Sequence, residues 1–358
     1  MRMTERFEEL IVTAEERNLT EEEAAAAMEI LADGGCGEGA IERFLLTPAL
    51  SFEDVDAATL AGLAGVVRER AISLPGVSSE NLIDTCGTGG GVSTFNVSTA
   101  AAFCLAGARF LGGECSSLAV AKHGNRAIAS TSGSADVLER LGVPVEGSPE
   151  QVASSVRTNG FGFLFAPRFH KAFAFVMPVR KRLAAQGRRT AFNLIGPLAN
   201  PARAAWQVMG VFVERKLSVM AEVLERLGVR GAVCASGRSE TGEAMDEISI
   251  SGPTRIIRFR GGERFEEELE PGRFGVRSFP VSALRVGSAE ESAERIRNIL
   301  SGKGEDRAGE AIVRFNTAAG LVAACGWDWD RAFEEAGRIL AEGWGRKVLD
   351  SVIASATA

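Results

Sequence analysis

Long apolar runs are missing from this 358-residue chain. None reaches the ~18 residues of a membrane span, so no membrane role is expected. Histidine occurs only twice, at His123 and His170, which argues against a structural or catalytic zinc site. The six cysteines (Cys36, Cys86, Cys104, Cys115, Cys234 and Cys325) are widely spaced and form no Cys-x-x-Cys pair. In a chain this large they read as free thiols rather than a disulfide framework. Clustered cations are also lacking: 40 basic residues are scattered among 47 acidic ones, for a net charge of −7. Broad nucleic-acid binding, which relies on such clusters, is not expected. The segment MRMTERFEEL is charged and has no apolar core of a secretory signal, so the cytoplasm is the expected compartment. Tyrosine is absent beside 20 phenylalanines, a bias with no evident physical cause.

What is present suits a globular protein with a large core: 46% hydrophobic and 24% charged residues. The first seventy residues read as helix. Ala24, Ala27, Met28 and Leu31 recur at helical spacing. Thr20 with Glu23 predicts a capping box, and Gly34 a stop. A second helix is expected from about Asp56 to Ala71. After residue 80 strands and helices alternate. Strands are expected at Leu82-Ile83, 119–121, 161–165, 208–213 and 232–235, with a further pair near 248–260. Helices are expected at about 98–108, around 135–138, from Ser148-Pro149, over 168–187, over 217–227 and towards the C-terminus. The pattern predicts an α/β fold, with a small helical domain plus a larger α/β domain around a mainly parallel central sheet.

Four elements carry chemistry. Residues 84–91 (DTCGTGGG) join a strand to a helix that begins at Ser98-Thr99. Glycines let backbone amides approach an anion, and a helix start offers free N–H groups, so phosphate is the natural ligand. The loop is neither a P-loop nor a dinucleotide fingerprint, and by itself it reads equally as a flexible turn. Lys122 and Arg126 flank a second loop, which ends at a serine- and glycine-rich helix start near Ser134. Together the two loops suit a ligand with more than one phosphate, although a solvated charged loop would look the same. Asp246-Glu247 suits Mg²⁺, which takes few carboxylates plus water and substrate phosphate; adjacent acids are also common on surfaces. Arg180 could grip a carboxylate bidentately or lie on the surface, and His170 could be a packing residue. No Ser-His-Asp or Cys-His arrangement is evident.

In this order the segments GTGG…TFNVSTA, VAKHGNR…SGSADVLE, RTAFNLIGPLANP and DEIS resemble the anthranilate phosphoribosyltransferase family of tryptophan biosynthesis. Further likeness lies in the Leu19 to Ala24 stretch, Gln207 to Gly210 and the region of Asn316. The resemblance implies a helical domain over 1–75, joined by 166–192, and an α/β domain over 76–165 and 193–358. It implies Mg²⁺-dependent transfer from phosphoribosyl diphosphate (PRPP) to the amine of anthranilate, and a homodimer through the helical part. Gly87, Thr88, Gly89, Gly90, Thr94, Asn96, Ser98, Thr99, Lys122 and Ser134 are implied PRPP contacts. Gly87, His123, Asn125, His170 and Arg180 are implied to line the anthranilate path, with Arg180 the carboxylate partner. Ser98, Asp246 and Glu247 are implied Mg²⁺ ligands, and no residue is assigned as acid or base.

The chain departs from the family pattern at several places. Gly91 stands where an aspartate is usual, and its loop reads as shorter. Residues 109–118 are longer than usual and are expected opposite the active-site edge. Residues 234–245 replace a His-Gly-rich approach to Asp246, and Lys171 replaces a proline. Two other readings stay open: a nucleoside phosphorylase-like enzyme, and a non-catalytic paralogue that binds nucleic acid or another partner.

Overall fold

A computed structural model describes residues 3–127 and 132–357. The N-terminal helices form where their caps predict. Thr20 and Glu23 make the reciprocal capping box of the helix Glu21–Ala32. Asp56 caps the helix Ala57–Glu69 through the amide of Thr59. Ser148 and Gln151 cap the helix Pro149–Asn159 in the same reciprocal way.

The described residues also form eight strands: β1 (Leu82–Gly87), β2 (Ala119–Gly124), β3 (Phe161–Phe165), β4 (Trp206–Gly210), β5 (Gly231–Arg238), β6 (Ala244–Met245), β7 (Thr254–Arg260) and β8 (Glu263–Leu269). They form one sheet in the order β3-β2-β1-β4-β5-β7-β8, with β6 paired to β5. Strands β1 to β5 run parallel, whereas β6, β7 and β8 are antiparallel additions. Alternate residues face opposite layers. Val208 and Val233 join a core with the helices Val97–Gly107 and Arg307–Cys325, while Met209, Ala232 and Cys234 join the core of the N-terminal helices. Among the described residues no helix is long and apolar enough to cross a membrane.

Three expectations change. The strand pair near 248–260 is instead β7 and β8, joined across Gly261-Gly262, and 248–250 is not a strand. The outermost strand β8 is mostly exposed and rich in glutamate, so it lacks the apolar alternation that identifies a half-buried strand. The expected helix over 168–187 is broken into Ala166–Phe169, a turn at Lys171–Phe173 and Met177–Ala185. Pro178, near the start of the last piece, fits a new helix rather than a continued one. Strand β4 lies at Trp206–Gly210 rather than 208–213.

Candidate active site

Ligands of open α/β sheets bind beyond the carboxyl ends of the strands, where the strand order reverses. Here that point lies between β1 and β4, both ending in glycine. The glycines are required by close approach: a Cβ on Gly87 would strike the Asp246 carboxylate, and one on Gly210 the Asp246 carbonyl. The loop then turns through Gly89 (φ 70°) and Gly90 (φ 101°), a conformation that disfavours side chains. Thr88 locks it to β4, donating its amide to the Gly210 carbonyl at 2.9 Å while its hydroxyl accepts from Phe212 at 3.1 Å.

Asp246 and Glu247 therefore reach the glycine loop from the far side of β4. The Gly89 amide donates to Asp246 Oδ2 at 2.8 Å, and the Thr94 hydroxyl donates to Glu247 Oε1 at 2.8 Å. Burial raises the pKa of Asp246. Glu247 is pushed up to about 8 by burial and then by the neighbouring Asp246 charge, against the Thr94 hydrogen bond. A cation beside the pair would relieve both effects. The donor set is all oxygen. That fits Mg²⁺, which takes its remaining ligands from water and phosphate. A cavity of about 10 Å³ separates the pair from Thr85, Ser98 and Asn316. A larger cavity of about 370 Å³ lies away from these groups, between Phe161, Gly162 and the C-terminal helix.

The segment is fixed from behind by Asn316, which the sequence reading placed only within a region of resemblance. Its buried amide accepts from the Ile248 N–H at 3.1 Å and donates to the Ile248 carbonyl at 3.1 Å and the Ile312 carbonyl at 2.9 Å. A side-chain amide in a helix gives no sequence sign of such a brace.

Of the other phosphate-side residues, Ser98 and Thr99 lie in the first turn of Val97–Gly107, and Asn96 precedes it. Asn96 Oδ1 accepts from the hydroxyls of Ser132 at 2.8 Å and Ser292 at 2.9 Å, which joins the two helix-start loops. Among the described residues the buried Thr99 hydroxyl has no hydrogen-bond partner. Ser134 opens the helix Ser134–Leu141 beside Gly124, where a Cβ would collide with its hydroxyl. Residues 128–131 of that loop lie outside the described residues.

Lys122 is not on the cleft surface. It is 1% exposed, and its ammonium donates to the Thr85 carbonyl at 2.6 Å and the Ser98 hydroxyl at 3.2 Å. Burial lowers its pKa, while the buried Asp84 opposes that shift. Arg126, read as a second phosphate cation, is engaged elsewhere: it pairs with both oxygens of Glu139 at 2.6 and 2.7 Å.

The acceptor-side residues form a separate group. His123 and His170 face each other with their Nε2 atoms 3.2 Å apart. Burial, then the neighbouring His170, lowers His123 to about 3, and burial lowers His170 to about 4, so both rings are neutral near pH 7. From His170 the aromatic lining runs through Phe173 to Phe192, with centroid separations of 6.0 and 6.1 Å. The Arg180 guanidinium lies 5.7 and 5.8 Å from those two rings. It donates to the Phe192 carbonyl at 3.0 Å, and burial lowers its pKa. Among the described residues no carboxylate pairs with it. Asn125 is exposed beside β2, and its side-chain oxygen accepts from the Arg126 amide at 2.8 Å.

Two departures from the family pattern meet in space. A Cβ on Gly91 would lie 2.7 Å from the Ala244 carbonyl, and the Val92 amide donates to that carbonyl at 2.9 Å. Residues 234–245 are not an open loop: β5 continues to Arg238 and returns as β6. A side chain at position 91 would push this hairpin away. Residues 109–118 lie between the end of Val97–Gly107 and the start of β2, opposite the glycine loop.

Residues 79–345 match the family model described as glycosyl transferase family, a/b domain. The chain is 42% identical over 334 residues to anthranilate phosphoribosyltransferase of Chloroflexus aggregans, covering 90% of this chain and 92% of that one. It superposes on the crystal structure of anthranilate phosphoribosyltransferase from Thermus thermophilus with a TM-score of 0.84 at 36% identity, over 99% of both chains. The Saccharomyces cerevisiae enzyme in complex with PRPP and Mg shares the fold, with a TM-score of 0.82 at 24% identity over 99% of this chain and 98% of that one. The chain belongs to the anthranilate phosphoribosyltransferase family.

Proposed function

We propose that the protein transfers the phosphoribosyl group of PRPP to the amine of anthranilate and releases diphosphate, with Mg²⁺, as a step of tryptophan biosynthesis. The observation that carries this reading is one cleft with two unlike halves. An oxygen-rich glycine loop after β1 faces two carboxylates, and the neighbouring strand β2 carries His123, where an aromatic path begins that ends in an arginine with no carboxylate partner among the described residues.

Each half has a chemical task. Amides of Gly87 to Gly90, the hydroxyls of Thr94, Ser98 and Thr99, and the helix starts at Val97 and Ser134 would hold the diphosphate and ribose phosphate. Asp246 and Glu247, with Ser98, would hold Mg²⁺, which when bound supplies charge neutralisation for the departing diphosphate. Lys122 acts from below the loop, holding the Ser98 hydroxyl in place. Arg180 would bind the anthranilate carboxylate through its guanidinium fork. His123, Asn125 and His170 would then face the ring, and the neutral imidazoles leave the amine free to attack C1. Positioning and leaving-group stabilisation suffice, with no covalent nucleophile.

The test is loss of anthranilate fluorescence on mixing with PRPP and Mg²⁺. Consumption that EDTA abolishes, with phosphoribosyl-anthranilate identified by mass, is the expected result. Bound PRPP with no consumption would mean a different acceptor.

The division into a helical part (1–75 with 166–192) and an α/β part is supported by the packing of Val176, Val179, Leu183 and Phe192 among the N-terminal helices. That core also continues into Met209 and Leu217, so the two parts share it. A homodimer through the helical part is supported by Val12, Leu46 and Met3, apolar residues 41–48% exposed on that surface. Light scattering at twice the monomer mass is expected. A cytoplasmic location fits the chemistry proposed.

A further inference from the structure

The longer segment 109–118 brings two thiols together at the edge of the sheet away from the cleft. It descends from the helix Val97–Gly107 through the turns Ala108–Leu111 and Gly113–Cys115. Cys115 is fully buried there. Its Sγ lies 2.8 Å from the Sγ of Cys325, which is 210 residues away in sequence. Cys325 is the last residue of the helix Arg307–Cys325 and is partly exposed. Among the described residues this is the one thiol–thiol contact. The spacing of the cysteines gave no hint of it.

The flanking residues hold the two sulfurs in register. Glu114, beside Cys115, accepts from Trp327 Nε1 at 3.2 Å and from Arg331 at 3.1 Å. The Arg331 guanidinium lies 3.9 Å from the centre of the Trp327 ring, two residues beyond Cys325. Arg260 donates to the carbonyls of Ala323 and Ala324 at 3.4 and 3.2 Å, next to Cys325. The hydrogen bond with Cys115 lowers the Cys325 pKa, helped by Arg260 and Arg331 and opposed by burial and the Glu114 charge, while the bond and burial raise that of Cys115. Cys325, the more exposed residue of the two, is thus also the more readily ionised one, and the thiolate is the nucleophile in exchange.

We propose that Cys115 and Cys325 are a thiol–disulfide exchange site that closes into an intramolecular disulfide when a low-molecular-weight disulfide oxidant is present. The Cys325 thiolate attacks one sulfur of the oxidant, forming a mixed disulfide and expelling one thiolate. That thiolate takes the Cys115 proton. The Cys115 sulfur then attacks Cys325 Sγ, breaking the mixed bond and expelling the second thiolate, which is protonated by solvent. Two protein thiols are oxidised by two electrons, and one disulfide is reduced to two thiols. The bond would tie the crossover after Val97–Gly107 to the end of Arg307–Cys325. These helices carry Ser98 and Asn316 respectively, so the clamp sits behind the frame of the cleft and touches no reacting group.

Full-length protein treated with glutathione disulfide, then acid-quenched, alkylated and analysed by intact mass and peptide mapping, tests this. The expected product has lost two hydrogens, with a Cys115–Cys325 linked peptide that dithiothreitol reverses. Its melting temperature should rise by roughly 5 °C, since a cross-link closing a long loop restricts the unfolded chain. Cys115→Ala should instead retain one glutathione on Cys325 and show no such rise. A wild-type protein that keeps glutathione on Cys325 without the cross-link, or that links other cysteines, would overturn the proposal. So would an equal rise in melting temperature in the oxidised Cys115→Ala protein.

Discussion

Lys122, buried, and Arg180, half-buried, are both cations next to the cleft, yet their surroundings differ. The Lys122 ammonium is occupied by the Thr85 carbonyl and the Ser98 hydroxyl. Among the described residues the Arg180 guanidinium has one strong acceptor, the Phe192 carbonyl, and otherwise faces aromatic rings and Met177. A cation whose donors are spent inside the protein organises its neighbours. One left short of acceptors in an apolar setting is poised for an anion from outside. The same contrast runs across the cleft: the cation on the phosphate side is spent on its neighbours, and the arginine on the acceptor side has donors to spare.

That contrast can be broken at graded cost. The largest effect is expected from replacing Asp246 with Asn and Glu247 with Gln together. Turnover should fall by at least ~10²-fold, the scale of lost metal charge stabilisation, and the Mg²⁺ requirement in steady-state assays should rise. Unchanged Mg²⁺ dependence would remove the pair from the metal site. Next is Arg180→Ala, which should raise the anthranilate KM by ~10- to 100-fold, as for a lost charged hydrogen bond, with PRPP binding by calorimetry nearly unchanged. Equal loss of both ligands would contradict the division into halves.

Lys122→Met should act on stability as well as on the Ser98 hydroxyl it holds. It leaves the Thr85 carbonyl and Ser98 hydroxyl without their donor, a cost of ~1–3 kcal/mol in urea unfolding. The smallest effect is the pH response of the histidine pair. His123 and His170 are held near 3 and 4, below the ordinary 6.5. As pH falls from about 6.5 towards 4, the unfolded chain takes up protons that these folded sites refuse, so stability declines over that window and is complete above it. Urea midpoints at several pH values should show a flatter profile in the His123→Gln, His170→Gln double variant.

Local chemistry made much of this legible in the sequence. The Thr20 and Ser148 caps, the five parallel strands and the glycine loop all rest on neighbours within a few residues. What was hidden depends on contacts between distant segments. Nothing near Lys122 shows that its ammonium points under the loop, or that Arg126 meets Glu139. Asn316 braces Ile248 from a helix 68 residues away, and Gly91 packs against the Ala244 carbonyl of the β5–β6 hairpin. Strand β8 escaped because an exposed edge strand carries glutamates in place of alternating apolar residues. The broken helix at His170 escaped because apolar spacing persists through a turn.

The most direct test of the open-arginine account compares anthranilate with 2-aminobenzamide, its neutral amide, as acceptors for the wild-type protein and Arg180→Ala. The wild type should strongly prefer anthranilate in kcat/KM, and Arg180→Ala should lose most of that preference by losing anthranilate activity alone. A variant that keeps the full preference would show that another group reads the carboxylate.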